Sequence, residues 1–126
     1  MISLEIGIDC VDISEFKKDV YSNDNIIKKV FTDKEISYCK KKLNAFQHFA
    51  VRFAAKEAVI KAFSCYNIKV LLNQVEILNG KNGIPFVKVL NDKVGKYDIK
   101  VSLSHSKNTA IAMVIIFESD ELFKNE

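Results

Sequence analysis

Residues 45–63 run without glycine or proline, and in a chain of 126 residues a helix of that length must supply much of the core. At about 100° per residue, Phe46, Phe49, Ala50, Phe53 and Ile60 fall on one stripe of that helix. Glu57 falls in the middle of the same stripe. A carboxylate buried alone is strongly unfavourable, so Glu57 must be paired, hydrogen-bonded, protonated or metal-bound. The residues leave two readings open. One is an internal ion pair with Lys61, a turn further on; the other is a metal ligand facing a cleft.

A second carboxylate stands at the chain's start. Ile2, Leu4, Ile6 and Ile8 alternate with Ser3, Glu5, Gly7 and Asp9, which predicts a half-buried strand ending at Asp9. Gly7 beside it leaves room for a ligand. Asp9 and Glu57 would form a hard, oxygen-only, partly open donor set, of the kind magnesium takes when phosphates and waters complete its shell. Taken singly, an aspartate at a strand end is more often a cap or turn former.

The remaining pattern is mixed. Asp12 with Glu15 and Thr32 with Glu35 carry capping-box spacing, predicting helices over residues 13–20 and 32–43. Ser22-Asn23-Asp24-Asn25 breaks the first of these. Residues 75–77 and 86–89 flank a turn-rich Asn79-Gly80-Lys81-Asn82-Gly83 and predict a hairpin. Residues 99–103 and 110–117 predict two more strands, joined through Ser104-His105-Ser106-Lys107-Asn108. The expectation is one α+β domain over residues 1–118 and a polar tail over 119–126.

Composition removes several classes. No apolar run approaches the roughly 20 residues that span a bilayer, so no membrane partner is expected. The start Met1-Ile2-Ser3-Leu4-Glu5 lacks the features of a secretory signal. Cys10, Cys39 and Cys65, without a C-x-x-C pair, are expected as free or buried thiols in a reducing compartment. The cytoplasm is therefore expected, or a plastid stroma if a transit peptide has been removed. With a net charge of +3 and Arg52 the single arginine, no nucleic-acid partner is expected. Lys17-Lys18, Lys28-Lys29 and Lys40-Lys41-Lys42 are either solvated helix faces or a landing surface for an acidic partner. Nucleotide-loop, nucleophile-elbow and H-E-x-x-H signatures are absent, which narrows the chemistry to acids and lysines.

Gly7-Ile8-Asp9, Phe31-Thr32 with Glu35, and the run Arg52-Phe53-Ala54-Ala55-Lys56-Glu57-Ala58-Val59-Ile60-Lys61-Ala62-Phe63 resemble the holo-(acyl carrier protein) synthases, the small 4'-phosphopantetheinyl transferases. Asn82-Gly83-x-Pro85 and Val101-Ser102-Leu103-Ser104-His105 continue the likeness in the family's order, over residues 6–117. The resemblance implies an antiparallel sheet with one long helix. It implies transfer of 4'-phosphopantetheine from coenzyme A to a serine of apo acyl carrier protein, releasing adenosine 3',5'-bisphosphate. By the same resemblance Asp9 and Glu57 bind magnesium, and Glu57 and Lys61 act at the reacting phosphate. Arg52, Lys56, Lys61, Ser104 and His105 would serve coenzyme A, with Gly83 and Pro85 approaching its adenine. Family members of this length are homotrimers with sites between adjacent subunits.

Attack by a serine on a diphosphate needs anionic repulsion reduced and charge on the leaving oxygen neutralised, which a divalent cation and one or two lysines supply. Three positions depart from the family pattern. Ser64-Cys65-Tyr66 stands where glycine is usual, Ile84 where lysine is usual, and Glu15 where an arginine docks the acidic carrier. Lys17 and Lys18 are the nearest substitutes for that arginine. These departures motivate one alternative, a non-catalytic coenzyme A or carrier-protein binding module.

Overall fold

The computed structural model describes residues 3–119. The chain opens with β1 (Leu4–Asp12), which runs past Asp9 until Asp12 caps α1 (Ile13–Phe16), its carboxylate accepting from the Glu15 amide at 2.9 Å. A π-helical turn (Lys17–Tyr21) follows. Asn23 caps α2 (Asp24–Val30), a helix the sequence reading did not foresee; the polar run expected only to break the chain also supplies the next cap. Thr32 and Glu35 close the expected capping box at the start of α3 (Asp33–Lys40), which stops short of the expected Leu43. The long helix is α4 (Ala45–Ser64). After a 3-10 turn (Leu72–Gln74) come the expected hairpin, β2 (Val75–Asn79) and β3 (Pro85–Val89), then β4 (Tyr97–His105) and β5 (Thr109–Glu118). Ile2 and, apart from Ser119, the tail expected over 119–126 lie outside the described residues.

The strands form two antiparallel sheets, β1-β5-β4 and the separate β2-β3 hairpin. Helix α4 packs across β1 and β5 with a face of small residues, Ala54, Ala55, Ala58 and Ala62, all fully buried. The approach is so close that a Cβ on Gly7 would sit 1.9 Å from the Ala58 carbonyl oxygen. Gly7 therefore makes room for the helix, not for a ligand as expected.

Two further expectations change sign. In β1 it is Gly7 that is buried, while Leu4, Ile6 and Ile8 stand 55, 68 and 60 % exposed on the outer face of the sheet. The register puts Met113 opposite Ile8 and Ile115 opposite Ile6, so this outer face is a continuous apolar surface. In α4 the expected stripe is covered unevenly: Phe49 and Ala50 are fully buried, whereas Phe46, Phe53, Glu57 and Ile60 are half-buried, because the alanine face takes the sheet and Arg52, Lys56, Val59 and Phe63 are buried elsewhere around the helix. Glu57 is thus half-buried at the edge of the core instead of sealed within it.

The turn after α4 needs no glycine. Asn67 takes the left-handed conformation (φ 59°), and its amide reaches the Ser64 carbonyl at 3.0 Å while Ile68 reaches Phe63 at 3.1 Å. Those two bonds make a Schellman ending with asparagine in the glycine position.

Candidate active site

The close packing of β1 against α4 brings the two predicted carboxylates together. Asp9 and Glu57 line one cleft of about 360 Å³, walled on the far side by Phe16 and Val20 of the α1 region. Lys61, a turn beyond Glu57, reaches across to β1, donating to the Asp9 carboxylate at 2.8 Å and to the Ile8 carbonyl at 3.0 Å. Of the two readings left open for Glu57, the ion pair with Lys61 is not the one formed: Lys61 pairs with Asp9. Burial first, then the negative charge of Asp9, pushes the Glu57 carboxyl above the usual carboxylate range, with Lys61 opposing. The bond to Asp9 raises Lys61 in turn, so it stays a cation.

Two like charges that disfavour each other in an open cleft are the donor set a hard divalent ion relieves. Among the described residues no group of three or more histidine, cysteine or acidic side chains is placed to hold a metal. Any ion held here therefore draws the rest of its shell from water or a substrate's phosphates. Asp12, Glu15 and Asp19 also line this cleft and make it strongly acidic.

A second cleft of about 340 Å³ collects Arg52, Gly83, Pro85, Ser104 and His105, five of the residues expected at coenzyme A. It also contains Tyr38, His48 and Asn79, which the sequence reading left as unassigned helix or turn residues. Arg52 is only 3 % exposed. Its guanidinium lies 4.4 Å over the Tyr38 ring, donates to the His48 carbonyl at 3.2 Å and to the Asn79 amide oxygen, and leaves a buried Nε without a partner. Lys42 lies 4.8 Å over the same tyrosine. Burial, then the charges of Arg52, Lys42 and His105, holds the His48 imidazole below its ordinary value. The cleft is cationic and retains an unused donor, which suits an anionic ligand.

Lys56 reaches neither cleft, contrary to the expectation. It is fully buried, 2.7 Å from an equally buried Glu35 carboxylate, and donates to the Leu72 and Val75 carbonyls. Glu35 accepts from the Thr32 and Ile77 amides, both at 2.9 Å. This network pins α3, α4 and the start of β2 to one another, and no donor is left for a ligand. Lys17 and Lys18 are exposed on the π-helical turn beside the acidic cleft, with Lys17 4.3 Å over Phe46.

The two clefts face different ways. Arg52 and Glu57 are separated by about 140° around α4 at 100° per residue. One chain therefore presents its acidic pair and its basic cleft on different sides of the same helix.

Comparison with known proteins gives one answer. A family model described as the 4'-phosphopantetheinyl transferase superfamily matches residues 5–114. The holo-[acyl-carrier-protein] synthase of Cytophaga hutchinsonii is 39 % identical over 119 residues, covering 87 % of this chain and 94 % of its own length. That of Thermodesulfovibrio yellowstonii is 42 % identical over 115 residues, covering 88 % and 96 %. Among solved structures, a holo-(acyl-carrier-protein) synthase from Bacillus anthracis in complex with CoA (3',5'-ADP) superimposes with a TM-score of 0.78 at 26 % identity, covering 94 % of this chain and all of that one.

Proposed function

The chain belongs to the 4'-phosphopantetheinyl transferase superfamily, and from that membership we infer how its two clefts divide the work. The reaction is transfer of 4'-phosphopantetheine from coenzyme A to a serine of apo acyl carrier protein, giving holo carrier protein and adenosine 3',5'-bisphosphate. The observation that carries the division is the meeting of Asp9, Glu57 and Lys61 in one cleft, apart from the Arg52 cleft.

Asp9 and Glu57 would hold a magnesium ion, which when bound neutralises the diphosphate and the charge growing on the leaving oxygen. Glu57, in the cleft beside Asp9, is the group suited to accept the serine proton, directly or through water. Lys61 is a flexible cation, 55 % exposed, able to follow the developing phosphate charge once Asp9 turns to other partners. Arg52, Ser104, His105 and the Gly83–Pro85 turn hold the anionic nucleotide end.

Because these sets diverge around α4, one bound coenzyme A would be served by two chains. The apolar outer face of Leu4, Ile6, Ile8, Ile111 and Met113 supports assembly into a homotrimer with sites between subunits. Lys17 and Lys18 stand on the rim where an acidic carrier would dock, though Glu15 opposes it there. Exposed, unpaired Cys10 and Cys65 suit a reducing cytoplasm.

Purified protein with coenzyme A, magnesium and apo carrier protein should yield a carrier heavier by one phosphopantetheine, and chelator should abolish the shift. Coenzyme A binding without a product peak would instead mark a non-catalytic binding module.

A further inference from the structure

We propose that Asn79, the last residue of β2, is a positioning residue for coenzyme A binding, acting through Arg52. The inference rests on the assignment of the Arg52 cleft to the nucleotide end of coenzyme A. The side-chain oxygen of Asn79 accepts from Nη2 of Arg52, and its nitrogen donates to the Gly83 carbonyl at 3.0 Å. One amide therefore joins a buried guanidinium on α4 to the turn of the hairpin, and both belong to the same cleft wall.

The geometry calls for an amide. Arg52 carries donors only and needs an acceptor, whereas the Gly83 carbonyl needs a donor; a primary amide is the compact side chain that presents both at fixed spacing. A carboxylate would suit Arg52 but repel the Gly83 oxygen and cancel the guanidinium charge. Gly83 itself has φ +74°, open to glycine but strained for most other residues, so the amide fixes a turn whose backbone is otherwise permissive.

Arg52 is held on its other sides by the Tyr38 ring and the His48 carbonyl, which makes Asn79 its one side-chain hydrogen-bond partner among the described residues. Removing that partner frees one arm of the guanidinium and the Gly83 carbonyl together, and both must then be ordered by the ligand at a cost in affinity. The reacting groups Asp9 and Glu57 lie elsewhere around α4. The loss should therefore appear in binding and not in turnover.

The test is a double-mutant cycle on wild type, Asn79→Ala, Arg52→Lys and the double variant. Coenzyme A affinity is measured by calorimetry and KM and kcat by carrier modification. Asn79→Ala should raise Kd and KM for coenzyme A about tenfold, the scale of one lost bond to a charged group, with kcat changed less than about twofold. In the Arg52→Lys background the same substitution should add less than about twofold, because the partner it acts through is already gone. Wild-type affinity in Asn79→Ala, a kcat loss at unchanged KM, or additive losses would overturn the inference while leaving the cleft assignment standing. Equal coenzyme A binding by wild type and Arg52→Lys would remove the cleft assignment and the inference with it. Should Asn79→Ala not fold, Asn79→Ser enters the same cycle, its hydroxyl being too short to bridge both partners.

Discussion

Lys56 and Lys61 sit five residues apart in one motif, and the family resemblance implies both at coenzyme A, Lys61 also at the reacting phosphate. The helix separates them by about 140°, sending one into the core and the other to solvent. Their replacements should behave oppositely. Lys56→Met strands the buried Glu35 charge and should cost about 3–5 kcal/mol in denaturant unfolding, with Glu35→Gln added to it restoring part of the loss. Lys61→Met removes a pair whose lysine is 55 % exposed and should change stability by less than about 1 kcal/mol, while kcat falls at least about tenfold. His48 offers a separate reading. Its native imidazole is held below the ordinary 6.5, so below that pH the unfolded chain binds the proton more readily and stability falls with falling pH. His48→Gln should flatten the drop in Tm between about pH 7 and pH 5. Asp9 and Glu57 were legible because a carboxylate amid apolar neighbours is a chemical anomaly. Asn79 was not, since an asparagine beside Gly80 satisfies the chemistry of a turn before any other role need be asked of it.

At the level of elements, caps and turns were read well and faces were not. The Thr32–Glu35 box and the Asn79–Gly83 turn are local hydrogen-bonding chemistry, complete within a few residues. The alternation of β1 was equally visible, but which side faces inward depends on the partner, and a sheet with an apolar outer surface inverts the usual reading. Likewise the alanine face of α4 carries less hydrophobic weight than its phenylalanine stripe, yet it is the alanine face that meets the sheet while Phe49 and Phe53 pack on the short helices, since only small side chains allow helix and sheet to meet at Gly7. Gly7→Ala must therefore push α4 off β1. A loss of about 3 kcal/mol or more is expected from urea unfolding, with transfer activity falling because Asp9 and Glu57 separate.

The whole molecule is built around a surface it does not cover itself. With Ile6 68 % and Ile8 60 % exposed beside Met113, the sheet's outer face has the character of an interface. Sedimentation of the wild type should give about three times the 14.3 kDa chain mass. Ile8→Lys should shift it to the single-chain mass and abolish transfer, because on the proposed division of the site the acidic cleft of one chain and the basic cleft of the next would no longer meet. The proposed chemistry rests on a joint grip of Asp9 and Glu57 on a divalent ion in the cleft they share. Manganese titration by electron paramagnetic resonance, with coenzyme A present, tests it in wild type, Asp9→Asn and Glu57→Gln. Each variant should lose at least about tenfold in ion affinity, equivalent to about 1.4 kcal/mol; wild-type affinity in either one, with the fold intact, would contradict it.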